Sequence, residues 1–383
     1  MILGGLILFL IAFLISLLGT ALAKRYAHRL GLMEAPGHRK VHTVSTPRNG
    51  GIGIFWGFAI PLLLGVVAVI FLNNINGGLP TKWDNSFSSR PHNAIDIPPQ
   101  LATYLPGMKH DLPLALLFLA ATFAIHLLGL LDDRKPMPPW PKLLAQLAIS
   151  AALVLAGEFL VAPGAFRIAT FLGFAPSAIL SILWIVALTN AFNFLDNMDG
   201  LSAGIAFICA AMFLIAAVFN GQWFIAALLL LFMGSVLGFL FFNFPPASIF
   251  MGDGGSMVLG FILSVLTIRT TYYETGRHWY AIFMPLFVMA VPLYDLSIVS
   301  VLRIARGRSP MTGDTNHFSH RLTRHGFSKR GAVLVIYGVT LATGITAPLL
   351  ARVDDTSAIL LAVQLLGMLV IIGLLERVGD HTA

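Results

Sequence analysis

The sequence predicts an all-α, polytopic integral membrane protein of about eleven transmembrane helices, with the N-terminus outside and the C-terminus in the cytoplasm. Three observations lead there. Of 383 residues, 57% are hydrophobic and 11% are charged, whereas a soluble domain carries roughly 25% charged residues. The apolar residues fall into runs close to the roughly 20 residues that a spanning helix needs. The basic residues gather in alternate connecting segments, as they do on the cytoplasmic side of membrane proteins. So few charges cannot cover a soluble globule of this size, which excludes an ordinary cytoplasmic enzyme, a disordered chain and a coiled coil.

The apolar runs lie near residues 2–23, 50–72, 112–131, 141–162, 176–195, 201–219, 222–242, 256–270, 279–302, 332–350 and 357–375. The first is long for a signal-peptide core, and Lys24, Arg25 and Arg29 follow it rather than precede it, so it reads as an uncleaved span. The sixth and seventh are separated only by Asn220, Gly221 and Gln222, the signature of a tight helical hairpin. Placing residues 24–48 inside puts 17 of the 24 Lys and Arg residues on the cytoplasmic side. The chain is read as one domain over 1–383, with an extracytoplasmic loop insert at 73–111 and a large cytoplasmic loop at 303–331. The net charge of +7 belongs to loops facing anionic lipid, and no nucleic-acid partner is expected. The single cysteine, Cys209, makes neither an intramolecular disulfide nor a cysteine metal site.

Acids near bilayer depth are costly and tend to mark function. Here they collect at span ends: Asp132 and Asp133 close the third run, Asp196 and Asp199 follow the fifth, and Asp253 lies between the seventh and eighth. The 303–331 loop adds Asp314, His317, His320 and Arg321. The orientation set by Lys and Arg puts all of them on the cytoplasmic face. One such acid would read as a solvated helix cap; five on one face read as a site. Mg²⁺ prefers hard oxygen ligands, often one or two carboxylates plus substrate phosphates, and histidine and arginine beside carboxylates suit a diphosphate. Gly252, Gly254 and Gly255 around Asp253 let backbone N–H groups approach phosphate closely.

Five strings carry this chemistry: HRKVHTVSTPRNGGIG at 38–53, GLLDDRKPMPPWPKLLAQ at 129–146, NAFNFLDNMDGL at 190–201, FMGDGGS at 250–256 and DTNHFSHRLTRHGFSKR at 314–330. In order and spacing the chain resembles the polyprenyl-phosphate N-acetylhexosamine-1-phosphate transferases, the family of the MraY, WecA and TagO enzymes, over residues 24–331. The resemblance implies transfer of a sugar 1-phosphate from a UDP-amino sugar to undecaprenyl or another polyprenyl phosphate, releasing UMP. It implies dependence on Mg²⁺, with Mn²⁺ as a substitute, a site facing the cytoplasm in the bacterial inner membrane, and the first membrane step of a cell-envelope glycan. It also allows a homodimer.

Carried over residue by residue, the resemblance makes Asp253 a catalytic acid and metal ligand, with Asn193 as a second ligand through its amide oxygen. Asp132 and Asp133 match the family's paired acids beside the lipid phosphate or metal. Lys142 is expected to hold phosphate, with Gln146 one turn on. Asp196 and Asp199 match the family's nucleotide-side acids, in contact with the uridine or the metal, where Asn197 replaces a glycine common among relatives; Asn190, one turn before Asn193 on the same helical face, is expected to bind substrate. His317 is expected to be catalytic, with His320 and Arg321 neutralising the diphosphate or touching the sugar. Lys40, with Arg39 and His42, is expected at the substrate or at lipid headgroups. A phosphate monoester has its second pKa near 6, so the lipid phosphate needs little base assistance; this favours direct attack, with a covalent aspartyl intermediate as the alternative. The HFSHRL string looks like the WecA and TagO branch, pointing to UDP-N-acetylglucosamine, with UDP-N-acetylmuramoyl-pentapeptide as the alternative donor. A transporter is the competing class, but no inverted repeat is visible. The aspartate-rich signature of CDP-alcohol phosphotransferases is absent.

Overall fold

The computed structural model describes residues 2–34, 45–75, 105–270, 278–307, 309 and 317–378. It is nearly all helix. In chain order the helices are α1 Ile2–Leu30, α2 Gly51–Ile75, α3 Leu105–Arg134, α4 Pro139–Ala156, α5 Phe174–Leu195, α6 Leu201–Phe219 and α7 Trp223–Asn243. They continue as α8 Asp253–Arg269, α9 Met284–Val288, α10 Ala290–Ala305, α11 Phe318–Arg324, α12 Lys329–Gly344 and α13 Asp355–Val378. Between α1 and α2 lies a two-residue antiparallel pair, β1 Met33–Glu34 with β2 Thr46–Pro47.

Among the described residues nine helices are long and apolar enough to cross a membrane. A tenth candidate is the bent pair Trp279–Val288 and Ala290–Ala305, whose two halves meet at 67°. The remaining apolar run, expected at 256–270, forms α8, which at 17 residues spans about 25 Å at 1.5 Å per residue. The hairpin read from Asn220-Gly221-Gln222 is present: α6 ends at Phe219 and α7 begins at Trp223. Of the 73–111 insert, the first residues belong to α2 and residues from Leu105 onward to α3; the stretch between lies outside the described residues.

Burial explains the arrangement. α8 is buried continuously from Asp253 to Thr267 and packs against α2, α3, α5, α6 and α7. A helix that is apolar all round belongs at a core, and Trp184 on α5 donates to Thr267 on α8 at 2.9 Å, so the polar atoms that remain are satisfied. At the periphery the relation reverses. α1 exposes Leu3, Leu6, Leu10, Leu14 and Leu18, and α13 exposes Ile359, Val363, Leu366, Val370 and Leu374. Such stripes are costly in water and neutral against lipid tails, where the helix satisfies its own backbone. The consequence for function is geometric. A central helix reached from five sides has its first residue, Asp253, at the meeting point of several helix ends.

Candidate active site

The first part of the site grows from the junction of α3 and α8. The N-terminus of α8 leaves backbone N–H groups without helical partners, and its N-cap, Gly252, has no side chain to serve them. Asp133, at the end of α3, does so instead: its two oxygens accept from the Asp253 N–H at 2.8 Å and the Gly254 N–H at 2.9 Å. Two glycines make this approach feasible. Gly252 has φ +71°, and a Cβ there would sit 2.5 Å from the Asp133 carboxylate. On α3, a Cβ at Gly129 would run into the Asp253 carbonyl.

Two cations thread the three acids together. Arg48 donates from Nε to Asp133 at 3.1 Å and from Nη2 to Asp253 at 2.9 Å. Lys142, near the start of α4, contacts the other oxygen of Asp253 and lies 3.5 Å from Asp132. The second oxygen of Asp132 accepts the Met137 N–H at 2.8 Å. Three carboxylates face two cations, so the cluster retains one formal negative charge. The Asp133 side chain is 0% exposed, and its oxygens are taken by backbone and Arg48. Asp132, Lys142 and Asp253 keep partial exposure.

Beside this cluster is a cavity of about 290 Å³ lined by Asp132 and Lys142 together with Leu143, Val186 and Leu296. Asn190 and Asn193, one turn apart on α5, also line it. Asn190 donates to Gln146 Oε1 at 2.6 Å, and Asn193 donates to the Ser256 hydroxyl at 2.9 Å. The nitrogen of Asn193 is thereby committed, which leaves its amide oxygen as the atom able to bind a cation. Among the described residues no group of three or more His, Cys, Asp or Glu side chains stands ready to hold a metal alone. Two carboxylates converging on one positive charge, here the Lys142 ammonium, is the partial donor set that Mg²⁺ completes with phosphates and water.

The second part lies around the start of α11. His317 Nδ1 is 2.8 Å from one oxygen of Asp295 on α10, and the Phe318 N–H donates to the other at 2.7 Å. The His317 ring meets Phe194, a cavity-lining residue, edge to face at 5.8 Å. The guanidinium of Arg303 lies 5.0 Å over the same phenyl ring, and the His317 and His320 rings are 6.5 Å apart. Arg321 is buried. The Ser319 hydroxyl donates to Asn197 at 2.5 Å, joining α11 to the turn that carries Asp196 and Asp199. Asp196 caps the end of α5. Asp199 accepts the Ala247 N–H at 2.9 Å, holding the loop that precedes FMGDGGS.

Of the residues singled out from the sequence, Asp132, Asp133, Lys142, Asp253, Asn190 and Asn193 thus gather around the cavity and its acid cluster. His317 reaches the cavity through Phe194. Asp199 is engaged with backbone at the neighbouring turn. Lys40, Arg39, His42 and Asp314 lie outside the described residues. Arg48, Asp295 and Arg303 were not foreseen. Arg48 lay within a quoted string but was one of several basic residues there. Asp295 and Arg303 carried a signal that went unused, a charge within or beside an otherwise apolar run.

Comparison with known proteins now bears on this geometry. Residues 115–271 match the family model described as "Glycosyl transferase family 4"; the matched stretch contains all of the acid cluster except Arg48. The chain is 32% identical over 345 residues to the "Probable undecaprenyl-phosphate N-acetylglucosaminyl 1-phosphate transferase" of Bacillus subtilis, covering 88% of this chain and 83% of that protein. It is 30% identical to the "Decaprenyl-phosphate N-acetylglucosaminephosphotransferase" of Mycobacterium tuberculosis H37Rv, over 97% of this chain and 89% of that one. With the "Undecaprenyl-phosphate alpha-N-acetylglucosaminyl 1-phosphate transferase" of Escherichia coli K12 it shares 26% identity, over 88% and 80%. Similarity of this degree along nearly the whole chain makes it a transferase, a member of glycosyl transferase family 4 and of the polyprenyl-phosphate sugar-1-phosphate transferases within it.

Proposed function

We propose that the protein transfers N-acetylglucosamine 1-phosphate from UDP-N-acetylglucosamine to a polyprenyl phosphate such as undecaprenyl phosphate, at the cytoplasmic face of the bacterial inner membrane. The observation that carries this reading is the juxtaposition of an acid-and-cation cluster with a largely apolar cavity. One substrate in such a reaction is a lipid with a charged head, and the cavity is lined by both apolar residues and Lys142 and Asp132. Eleven spans, counting α8 and the bent pair, would place the termini on opposite sides, with the acid cluster on the Lys- and Arg-rich face.

In the reaction an unprotonated oxygen of the lipid phosphate attacks the phosphorus that bears the sugar. A new P–O bond forms, the bond from that phosphorus to the bridging oxygen breaks, and UMP leaves with the electron pair. No net proton transfer is needed, which suits a site whose acids are engaged in ion pairs. Lys142 and Arg48 hold phosphate oxygens as charge builds on them, His320 and Arg321 neutralise the departing side, and His317 contacts the substrate through Nε2. Asp253, Asp132 and the amide oxygen of Asn193 would hold Mg²⁺, which when bound supplies charge neutralisation across the diphosphate. Asp133, buried and saturated, positions the α8 N-terminus rather than touching substrate.

Purified protein in lipid nanodiscs with Mg²⁺, undecaprenyl phosphate and a panel of labelled UDP-N-acetylhexosamines tests the reading. UMP and a lipid-linked sugar should appear, fastest with UDP-N-acetylglucosamine. A folded sample that releases no UMP from any of them overturns the proposal.

A further inference from the structure

We propose that Asp295 is a positioning residue for the transfer reaction, acting through His317; the inference rests on the function proposed above. Asp295 lies in the half of the bent helix pair that follows the bend, five residues after its first, Ala290, and next to Leu296, which lines the cavity with Ser300. It is fully buried, and His317 nearly so. A carboxylate taken wholly out of water is retained only when its oxygens are satisfied. Here one oxygen takes the imidazole at Nδ1 and the other takes the Phe318 N–H, the first amide of α11.

Both bonds matter to the site. An ionised carboxylate can only accept, so the ring must donate from Nδ1, which defines the tautomer and leaves Nε2 as the working nitrogen. The same arrangement orients histidines at metal centres, where losing the outer partner costs about 10–100-fold. The second bond replaces a cap that the sequence does not supply locally: the N-cap of α11 is His317 itself, whose side chain makes no capping bond. Asp295 therefore sets the ring's rotation and the start of the helix that carries His320 and Arg321. Phe194 constrains the ring from its flank at 5.8 Å. A hydrogen bond at one edge and an aromatic edge on the face leave the imidazole little freedom.

A double-mutant cycle tests the assignment in nanodiscs, reading UMP release as kcat and KM together with the thermal midpoint. Asp295→Asn is isosteric and retains an acceptor for the Phe318 N–H, but it loses the charge and the clean acceptor for the ring. It should lower kcat by about 10–100-fold, with KM for UDP-N-acetylglucosamine within about twofold. His317→Gln should cost at least as much, and the double variant should be no slower than His317→Gln alone, because coupled residues do not lose independently. Multiplying losses in the double variant overturn the proposal, as does a kcat loss in Asp295→Asn when His317→Gln is fully active. If Asp295→Asn fails to give a monodisperse, cooperatively melting protein while His317→Gln does, Asp295 serves the fold alone and the proposal falls. An inactive wild type would instead sink the transferase reading, before any variant is compared.

Discussion

The two halves of the site handle buried acid in opposite ways. At the α3–α8 junction Asp132, Asp133 and Asp253 are interleaved with Arg48 and Lys142, so charge answers charge. At the α10–α11 junction a single acid, Asp295, is met by an imidazole and a backbone N–H, and hydrogen bonds carry the load. The difference follows from what each half must do. On the proposed function, the first half needs cationic partners that can exchange carboxylate for phosphate, and Lys142 and Arg48 can bind either oxyanion. The second half needs one ring held in one orientation, and a directional hydrogen bond does that better than a point charge.

The largest expected effect separates the two directly. Asp253→Asn keeps the shape of the cluster but removes the charge that both cations share, and turnover should fall by about 1000-fold while expression and thermal midpoint hold. If UMP release survives Asp253→Asn better than Asp295→Asn, the ranking of an acid that holds the reacting groups above one that positions His317 is wrong. A backbone test comes next. Gly129→Ala adds one methyl group where the Asp253 carbonyl already sits, so α3 and α8 must part. Overpacking of this kind costs about 1–3 kcal/mol, seen as a lowered thermal midpoint, and the separation of Asp133 from the α8 amides should reduce turnover as well. A normal midpoint and rate would mean that the close approach is not what holds the cluster. The smallest effect is expected at the link between α11 and the turn after α5. Ser319→Ala removes the hydroxyl donated to Asn197, a loss of about 0.5–1.5 kcal/mol, and UMP release should fall by less than tenfold. A larger loss would show that α11 and this turn work as one unit.

Much of the site is legible in the sequence. Asp253 stands out because glycines flank it on both sides; the sequence reads them as room for phosphate, and at Gly252 the Asp133 carboxylate occupies that room. Counting Lys and Arg placed Asp132, Asp133, Asp196, Asp199 and Asp253 together on one face, and the helix ends that carry most of them do converge. Arg48 was harder: in a stretch with Arg39 and Lys40, nothing in residue type marks the one that folds back onto two acids more than eighty positions away. Asp295 was passed over although a lone acid among Leu, Tyr and Ile is expensive in lipid; its partner lies on another helix, and no local spacing points to it. The nominal roles also shifted with geometry. Asp132 and Asp133 are neighbours in sequence and look equivalent, yet one faces the cavity and the other disappears beneath α8.

The sequence alone determined the solvent and the class of chemistry. Too few charges for a water-facing surface require lipid, and acids that survive beside lipid require partners, because an isolated charge there is too costly. Both are properties of composition and of position along the chain. Only the tertiary structure decided which partners these are. Arg48 and Lys142 answer Asp253, an imidazole answers Asp295, and Asp133 is spent on the end of a helix. These pairings join residues far apart in the chain: the acid cluster forms because α8, buried along its length, sinks to the centre of the bundle with its first residue against the end of α3, and the Asp295 pair forms where the start of α11 meets α10.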